Sequence, residues 1–149
     1  MMAVPVIREA AERDFDGLMR LYTHLHESGV APLDGKAADV WHRILADENY
    51  HILVAEIGGK LVSSCTCVIV PNLTRGIRPY ALVENVVTDA AFRGQGLATA
   101  CLNAARAVAE RENCYKIMLL TGAKNERTLA FYERAGYNRR DKTAFIQWL

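Results

Sequence analysis

Apolar and polar positions follow two rhythms along this chain, one typical of helices and one typical of strands. Apolar side chains recur at one-face helical spacing in residues 15–25, 37–46 and 97–111, which predicts three amphipathic helices. A fourth helix is expected over about 126–135, because Gly136 suits the position just beyond a helix end. Strands are expected at residues 4–8 as an edge strand, 50–57, 60–70, 80–88, 114–121, 137–140 and 143–149, the last two closing the sheet.

These segments are expected to assemble into one domain over residues 1–149. Gly58 and Gly59 predict a tight hairpin between the second and third strands. Residues 114–121 are too apolar to alternate, which predicts a central strand covered on both faces. Loops are expected at 29–36 and 71–79. The pattern therefore predicts an α+β fold, with a mixed, mostly antiparallel sheet flanked by helices.

Composition and charge narrow the functional classes. The net charge of +1 creates no whole-molecule field that would favour nucleic acid or a membrane surface. Apolar runs are of strand length, and the N-terminus lacks the basic-then-apolar order of a signal peptide, so the cytoplasm is the expected compartment. No disulfide or metal site is expected, because the cysteines lie in apolar segments without zinc-site spacing; they are Cys65, Cys67, Cys101 and Cys114.

The junction between the strand at 80–88 and the helix beginning near Gly96 has the residues of an anion-binding turn. Gly94 and Gly96 allow a ligand to approach the backbone closely. The first amides of the helix have no intrahelical partners, and the positive end of the helix dipole favours a phosphate. Arg93 adds a positive charge. The turn lacks the Walker ending and the glycine pattern of a dinucleotide fold, which disfavours ATP and NAD. A plain strand-to-helix connection with a surface arginine is the alternative.

Two motifs resemble the GNAT superfamily of acyl-CoA-dependent N-acyltransferases. In that family an Arg/Gln-x-x-Gly-x-Gly/Ala turn binds the pyrophosphate of coenzyme A, and Arg93, Gly96 and Ala98 match it. The second motif begins at Asn125 and ends in Phe-Tyr-Glu-x-x-Gly-Tyr at residues 131–137. Within the superfamily the chain looks most like the glucosamine-6-phosphate N-acetyltransferases. It departs from them at Asn85 and at Leu120, Thr121 and Gly122, where acids are usual, so the resemblance leaves sugar specificity open.

The resemblance implies transfer of an acetyl group from acetyl-CoA, as co-substrate, to a primary amine by direct attack on the thioester. Only a neutral amine attacks, so a group must remove a proton. Glu84, a carboxylate in an apolar strand, is the implied base, acting directly or through water. Tyr132 is the implied acid for the departing thiolate. The alternatives are an exposed or ion-paired strand glutamate at Glu84 and ordinary core aromatics at Phe131 and Tyr132.

The resemblance also implies a cofactor-binding set. The strand end is expected to pair its backbone with the pantetheine amides, and one N–H there to polarise the thioester carbonyl. Asn125 matches a cofactor-binding residue of the family and also suits a helix N-cap. The expected set is Val86, Val87, Thr88, Arg93, Gly94, Gln95, Gly96, Leu97, Ala98, Thr99, Asn125 and Phe131.

The acceptor is expected to be a small-molecule amine. Arg75 and Arg78, in the loop before the glutamate strand, are candidates for holding an anionic acceptor; solvated loop arginines are the alternative. GNAT proteins often make dimer contacts near the last strand, so a homodimer is compatible with the resemblance. Two other functions stay open, namely a GNAT-fold module that binds acyl-CoA without turnover, and an acetyltransferase acting on a protein or peptide amine.

Overall fold

A computed structural model describes residues 3–25 and 35–149 of the protein. A five-stranded sheet in the order β1-β2-β3-β4-β5 forms its centre, antiparallel except for the parallel pair β4 and β5. This architecture confirms the predicted α+β fold. The strands are β1 Val6–Glu9, β2 Tyr50–Ile57, β3 Lys60–Val70, β4 Tyr80–Thr88 and β5 Ile117–Leu119; the helices are α1 Phe15–Tyr22, α2 Gly35–Ala46, α3 Leu97–Arg111 and α4 Glu126–Arg134.

Each face of the sheet has its own hydrophobic cluster. Successive strand residues point to opposite faces, so β2, β3 and β4 each contribute to both clusters. On one face, Val83 of β4 packs with Cys101 and Ala105 of α3, and we call this the α3-side cluster. The cluster on the other face, the α1-side cluster, contains residues of α1 and α2, and there Phe15 and Trp41 stack with ring centroids 5.6 Å apart. Sandwiching between two helical layers removes the middle strands from water and fixes their register.

The C-terminal third differs from the prediction. β5 contains only Ile117–Leu119 and lies at the edge of the sheet, so the expected central strand over 114–121 was wrong. Residues 137–140 and 143–149 form no strand, and Phe145 and Trp148 have 91% and 85% of their surface exposed. The sequence pattern predicts strand propensity, but a strand also needs a paired neighbour, and residues 137–140 and 143–149 do not pair with the free edge of β5 in the described chain.

The two predicted loops have different outcomes. Most of the expected loop at 29–36 lies outside them, and its last two residues, Gly35 and Lys36, belong to α2. The loop between β3 and β4 agrees with prediction.

In the described part of the chain, the helices are too short or too polar to cross a membrane.

Candidate active site

A cavity of about 250 Å³ opens where β4 and β5 separate. The two strands pair only over Ala81–Val83 and Ile117–Leu119, and beyond these residues the β5-facing backbone of β4 has no strand partner in the described structure. Both candidate catalytic side chains line this opening. The lining residues are Leu25, Val83, Glu84, Asn85, Val86, Leu119, Leu120, Thr121, Gly122 and Tyr132.

A β-bulge in β4 shapes one wall of the cavity. Ser64 pairs with Val87 while Thr66 pairs with Glu84, so Asn85 and Val86 together lie opposite the single residue Cys65. Asn85 has a φ of 52°, a left-handed conformation that asparagine adopts more readily than most residues. The bulge turns the backbone at these two positions out of the ladder, so its polar groups become available at the cavity.

Glu84 reaches the cavity from the face of the sheet covered by α1 and α2. Its neighbour Val83 points into the cluster on the α3 face, which puts Glu84 on the opposite face, next to Thr66 of β3. The Glu84 side chain is exposed, so the carboxylate stays hydrated and accessible. Burial, helped by the nearby charge of Glu84, raises the pKa of Tyr50. An exposed carboxylate at the cavity is compatible both with the predicted base and with the alternative of an exposed strand glutamate.

Tyr132 reaches the same cavity from the other face of the sheet. It lies on α4, packs against the α3-side cluster and has Phe131 and Tyr137 as ring neighbours at centroid distances of 5.0 and 6.4 Å. Burial of this side chain raises the pKa of Tyr132 above its usual value near 10, so the hydroxyl stays protonated at neutral pH and can donate a proton. The packing role and the acid role are therefore compatible in one residue.

The turn between β4 and α3 has the geometry of an anion site. Gly94 and Gly96 both have a φ of 77°, and no side-chain or backbone atom lies within 4 Å of a Cβ added at either. The first α-helical hydrogen bond runs from the N–H of Ala100 to the carbonyl of Gly96, so the amides of residues 97–99 have no acceptor within the helix. An open surface, free amides and the exposed Arg93 fit a pyrophosphate.

Asp89 holds this turn in place. Its carboxylate accepts a hydrogen bond from the Ala91 N–H at 2.9 Å and pairs with Lys60 at 2.9 Å, and this partner lowers the pKa of Asp89. Lys60 also lies over the Phe92 ring, 5.2 Å from its centroid. The contacts tie the start of the anion turn to β3.

The end of β4 is held from the β3 side. The Ser63 hydroxyl donates to the carbonyl of Val87 at 2.9 Å and lies 2.9 Å from the Thr88 hydroxyl. Val86 lines the cavity, whereas the Val87 side chain is buried in the α1-side cluster. Any contact of Val87 with a cofactor would therefore use its backbone.

Four further residues named from the sequence lie outside the cavity lining, the end of β4 and the anion turn. Asn125 caps α4 by accepting a hydrogen bond from the Thr128 N–H at 2.9 Å, and Phe131 packs against the α3-side cluster. The guanidinium of Arg78 donates to the backbone carbonyls of residues 113 and 114 at 3.1 and 3.0 Å, and that of Arg75 lies over the Tyr115 ring. The two arginines thus have structural contacts of their own.

Sequence reasoning missed part of the cavity wall. Leu25 and Leu119 line the opening, and no motif distinguishes them from ordinary helix and strand residues. Residues 120–122 also line it, and the sequence marks them only as departures from the glucosamine-6-phosphate N-acetyltransferases. The bulge at Asn85 had a weak signal, since a polar residue interrupts the apolar strand there. Among the described residues, no group of three or more His, Cys, Asp or Glu side chains could hold a metal ion.

Comparison with known proteins identifies the family. The model of the Acetyltransferase (GNAT) family matches residues 15–137, which include the bulged strand, the anion turn and Tyr132. The chain belongs to the GNAT acetyltransferase family. Members of this family use acetyl-CoA, and this GNAT chain is an acetyl-CoA-dependent acetyltransferase.

This GNAT chain is similar to three known proteins in particular. The glucosamine 6-phosphate N-acetyltransferase of Trypanosoma brucei brucei is 30% identical over 140 residues, covering 91% of this chain and 90% of that protein. A putative acetyltransferase from Agrobacterium tumefaciens str. C58 superposes with a TM-score of 0.89 at 40% identity, covering 96% and 99%. Glucosamine-6-phosphate N-acetyltransferase from Arabidopsis thaliana shares the fold, with a TM-score of 0.85, 22% identity and 98% coverage of both chains.

Proposed function

We propose that this enzyme transfers an acetyl group from acetyl-CoA to the primary amine of a small molecule by direct attack on the thioester. One observation carries the proposal. Glu84 and Tyr132, a carboxylate and a protonated phenol, line one cavity from opposite faces of the sheet. Amide formation from an amine and a thioester needs a base on the amine side and an acid on the sulfur side.

Each residue then has a defined task. Acetyl-CoA, when bound, supplies the thioester carbonyl that the amine attacks and the thiolate that leaves. The Glu84 carboxylate accepts the proton that the amine nitrogen loses, and the Tyr132 hydroxyl donates one to the sulfur. A backbone N–H at the Asn85 and Val86 bulge donates a hydrogen bond to the carbonyl oxygen as negative charge builds on it.

The anion turn is proposed to hold the pyrophosphate. The free amides of Leu97, Ala98 and Thr99 donate to phosphate oxygens, Gly94 to Gly96 permit the close approach, and Arg93 adds charge. The backbone at the end of β4 pairs with the pantetheine arm in the position that a further strand would take. Asn125 and Phe131 then support α4, which carries Tyr132, from outside the cavity.

The acceptor is proposed to be a small amine because the cavity is small and because similar proteins carry the name glucosamine 6-phosphate N-acetyltransferase. Glu84 is the charged residue of the described lining, so this wall suits the amino group better than an anionic group. The anionic acceptor predicted from Arg75 and Arg78 gains no support from their contacts.

An acceptor screen tests the proposed function. Purified protein is mixed with acetyl-CoA and a panel of amino sugars, glucosamine 6-phosphate, amino acids, polyamines, aminoglycosides and peptides, and thiol release is recorded. We expect acceptor-dependent release with at least one small amine and its loss in Glu84→Gln/Tyr132→Phe. Release only with peptides would favour the protein acceptor. Tight acetyl-CoA binding without release would favour a non-catalytic module.

We also propose that the enzyme is a homodimer joined through residues 143–149. This segment exposes Phe145, Ile146 and Trp148 while the outer edge of β5 has no partner within the described chain, so two copies can each add a strand to the other. Arg139 pairs with Glu126 and Glu133, which holds the chain against α4 just before the segment begins.

Light scattering tests the dimer. We expect twice the chain mass for the wild type and one chain mass for Trp148→Lys, while Leu73→Lys, an equally exposed control, keeps the double mass. A wild type of single mass would contradict the proposal.

A cytoplasmic location is proposed as well, since all four cysteines are free thiols, as is usual in a reducing compartment.

A further inference from the structure

A buried hydroxyl without a hydrogen-bond partner lies next to the proposed base. Thr66 has 1% of its surface exposed, and its hydroxyl oxygen has no hydrogen-bond partner among residues 3–25 and 35–149. Its cross-strand partner in the sheet is Glu84. Directly opposed residues of antiparallel strands have neighbouring side chains on one face, so the side chains of Thr66 and Glu84 are neighbours on the α1-covered face.

Two tyrosines, Tyr22 and Tyr50, pack on the face of the sheet to which Thr66 points. Tyr22, at the end of α1, lies close enough for the Thr66 hydroxyl to affect its ionisation, although burial dominates and raises the pKa of Tyr22 to about 12. Tyr50 also points to this face and senses the charge of Glu84. Both phenols remain protonated donors near neutral pH.

Energetics make an idle hydroxyl at this position unfavourable. A buried donor or acceptor without a partner loses its hydration without compensation, whereas valine has nearly the same shape and no polar group to satisfy. The Thr66 and Tyr22 hydroxyls interact, but Thr66 has no partner with hydrogen-bond geometry among the described residues, and such a pair is a suitable setting for a bridging water. A third acceptor, the carboxylate of Glu84, completes the two to four polar contacts that such a water makes.

We propose that Thr66 is a positioning residue for amine deprotonation: its hydroxyl and that of Tyr22 hold a water molecule against Glu84, and Glu84 removes the amine proton through this water. The inference rests on the proposed function. In the step, the water oxygen takes a proton from the amine nitrogen and passes one of its own to Glu84. The nitrogen bonds to the carbonyl carbon, the carbon–sulfur bond breaks, and Tyr132 protonates the sulfur. The water has gained one proton and lost one, so it is unchanged, and exchange with solvent returns the proton from Glu84 to the Tyr132 phenolate.

The test compares Thr66→Val with Thr66→Ser, using acetyl-CoA and the fastest amine of the acceptor panel. We expect Thr66→Val to lower kcat about ten- to a hundredfold, with the KM for acetyl-CoA unchanged, because only a proton-transfer contact is lost. Thr66→Ser keeps the hydroxyl and should retain most of the activity. The melting temperature of Thr66→Val should change little, since valine has nearly the same shape and the substitution removes no hydrogen bond to another protein group.

Two controls separate this role from a structural one. Ser64→Ala removes another β3 hydroxyl, whose bond to the Leu53 carbonyl is 2.9 Å, and should lower stability without a selective loss of kcat. In Glu84→Gln, adding Thr66→Val should cause no further loss, because the water then has no base to serve.

Each contrary result has a separate meaning. Wild-type kcat in Thr66→Val, equal losses in the valine and serine variants, or additive losses with Glu84→Gln would overturn the inference while leaving Glu84 as a direct base. Wild-type activity in Glu84→Gln would overturn the proposed base and this inference together.

Discussion

The two walls of the cavity are built in different ways. On the β4 wall, Glu84 and the bulge belong to a strand that is paired with β3, and Ser63 and Asp89 fasten its end through hydrogen bonds and an ion pair. On the opposite wall, Tyr132 belongs to a nine-residue helix next to a three-residue edge strand. This helix is held by aromatic packing, by an N-cap and by the ion pairs of Arg139 with Glu126 and Glu133, and none of these contacts is a hydrogen bond to the Tyr132 side chain.

This difference indicates that the two walls have different roles in the reaction. The β4 wall presents backbone groups and a carboxylate whose positions are set by directional bonds, as the stabilisation of developing charge requires. The α4 wall places one phenol by packing, which tolerates small shifts of the helix. Changes on the β4 wall should therefore affect the reaction and cofactor binding more sharply than changes on the α4 wall.

The largest effect is expected for Glu84→Gln. The amide keeps the shape of the side chain but cannot accept the proton, so kcat should fall by roughly 10²- to 10⁴-fold. The loss should hold across the whole pH range in which the acceptor reacts, as measured by pH profiles of both proteins with one acceptor. Identical profiles in shape and height would show that Glu84 is structural and that the amine loses its proton before binding.

Tyr132→Phe should have the next largest effect. Loss of the proton donor should lower kcat by roughly ten- to a thousandfold, while the Kd for CoA, measured by calorimetry, stays nearly unchanged. Because burial raises the pKa of Tyr132, the wild type should not lose activity through ionisation of this phenol below about pH 10. Weaker CoA binding without a selective loss of turnover would instead assign Tyr132 to packing.

Gly96→Val tests the anion turn, and its effect should be smaller than those of the two catalytic-residue variants. A branched side chain over the free amides should weaken CoA binding by about tenfold or more, since the backbone can no longer approach the pyrophosphate. Gly59→Val is the matched control, because Gly59 has a φ of 82° and open surroundings but lies in the β2–β3 turn. Both variants share the strain of a side chain at positive φ. Equal CoA affinity in the two would exclude this placement of the pyrophosphate.

The smallest effects concern stability. Ser63→Ala removes a buried hydrogen bond to β4 and should lower the free energy of unfolding by about 1–2 kcal/mol, measured by urea denaturation. Asn125→Ala removes the cap of α4 and should cost about 1 kcal/mol. Among the folded molecules, the Ser63 variant should also bind CoA more weakly, whereas the Asn125 variant should not. Weaker CoA binding by the Asn125 variant than by the Ser63 variant would contradict the contrast between the two walls.

The part of the site that depends on neighbours in sequence was predictable. A strand, two glycines and a helix follow one another between Tyr80 and Arg111, so the anion turn and the helix that begins at Leu97 follow from local spacing. The hairpin of β2 and β3 was predictable for the same reason, since a Gly-Gly turn sets its register.

The rest depends on contacts that local patterns do not contain. The bulge requires knowledge of which β3 residue faces Asn85, and the edge position of β5 depends on how β4 and its neighbours fill the sheet. Residues 143–149 have the composition of a strand, but their pairing depends on an edge elsewhere, so the prediction that they close their own sheet was wrong.

A crystal structure of the protein with CoA bound tests the central claim most directly, namely that the two walls act on one thioester. We expect the pyrophosphate on the amides of Leu97 to Thr99, the sulfur within hydrogen-bond distance of the Tyr132 hydroxyl, and the Glu84 carboxylate on the acceptor side of the sulfur. A sulfur bound away from the gap between β4 and β5, or out of reach of Tyr132, would contradict the account.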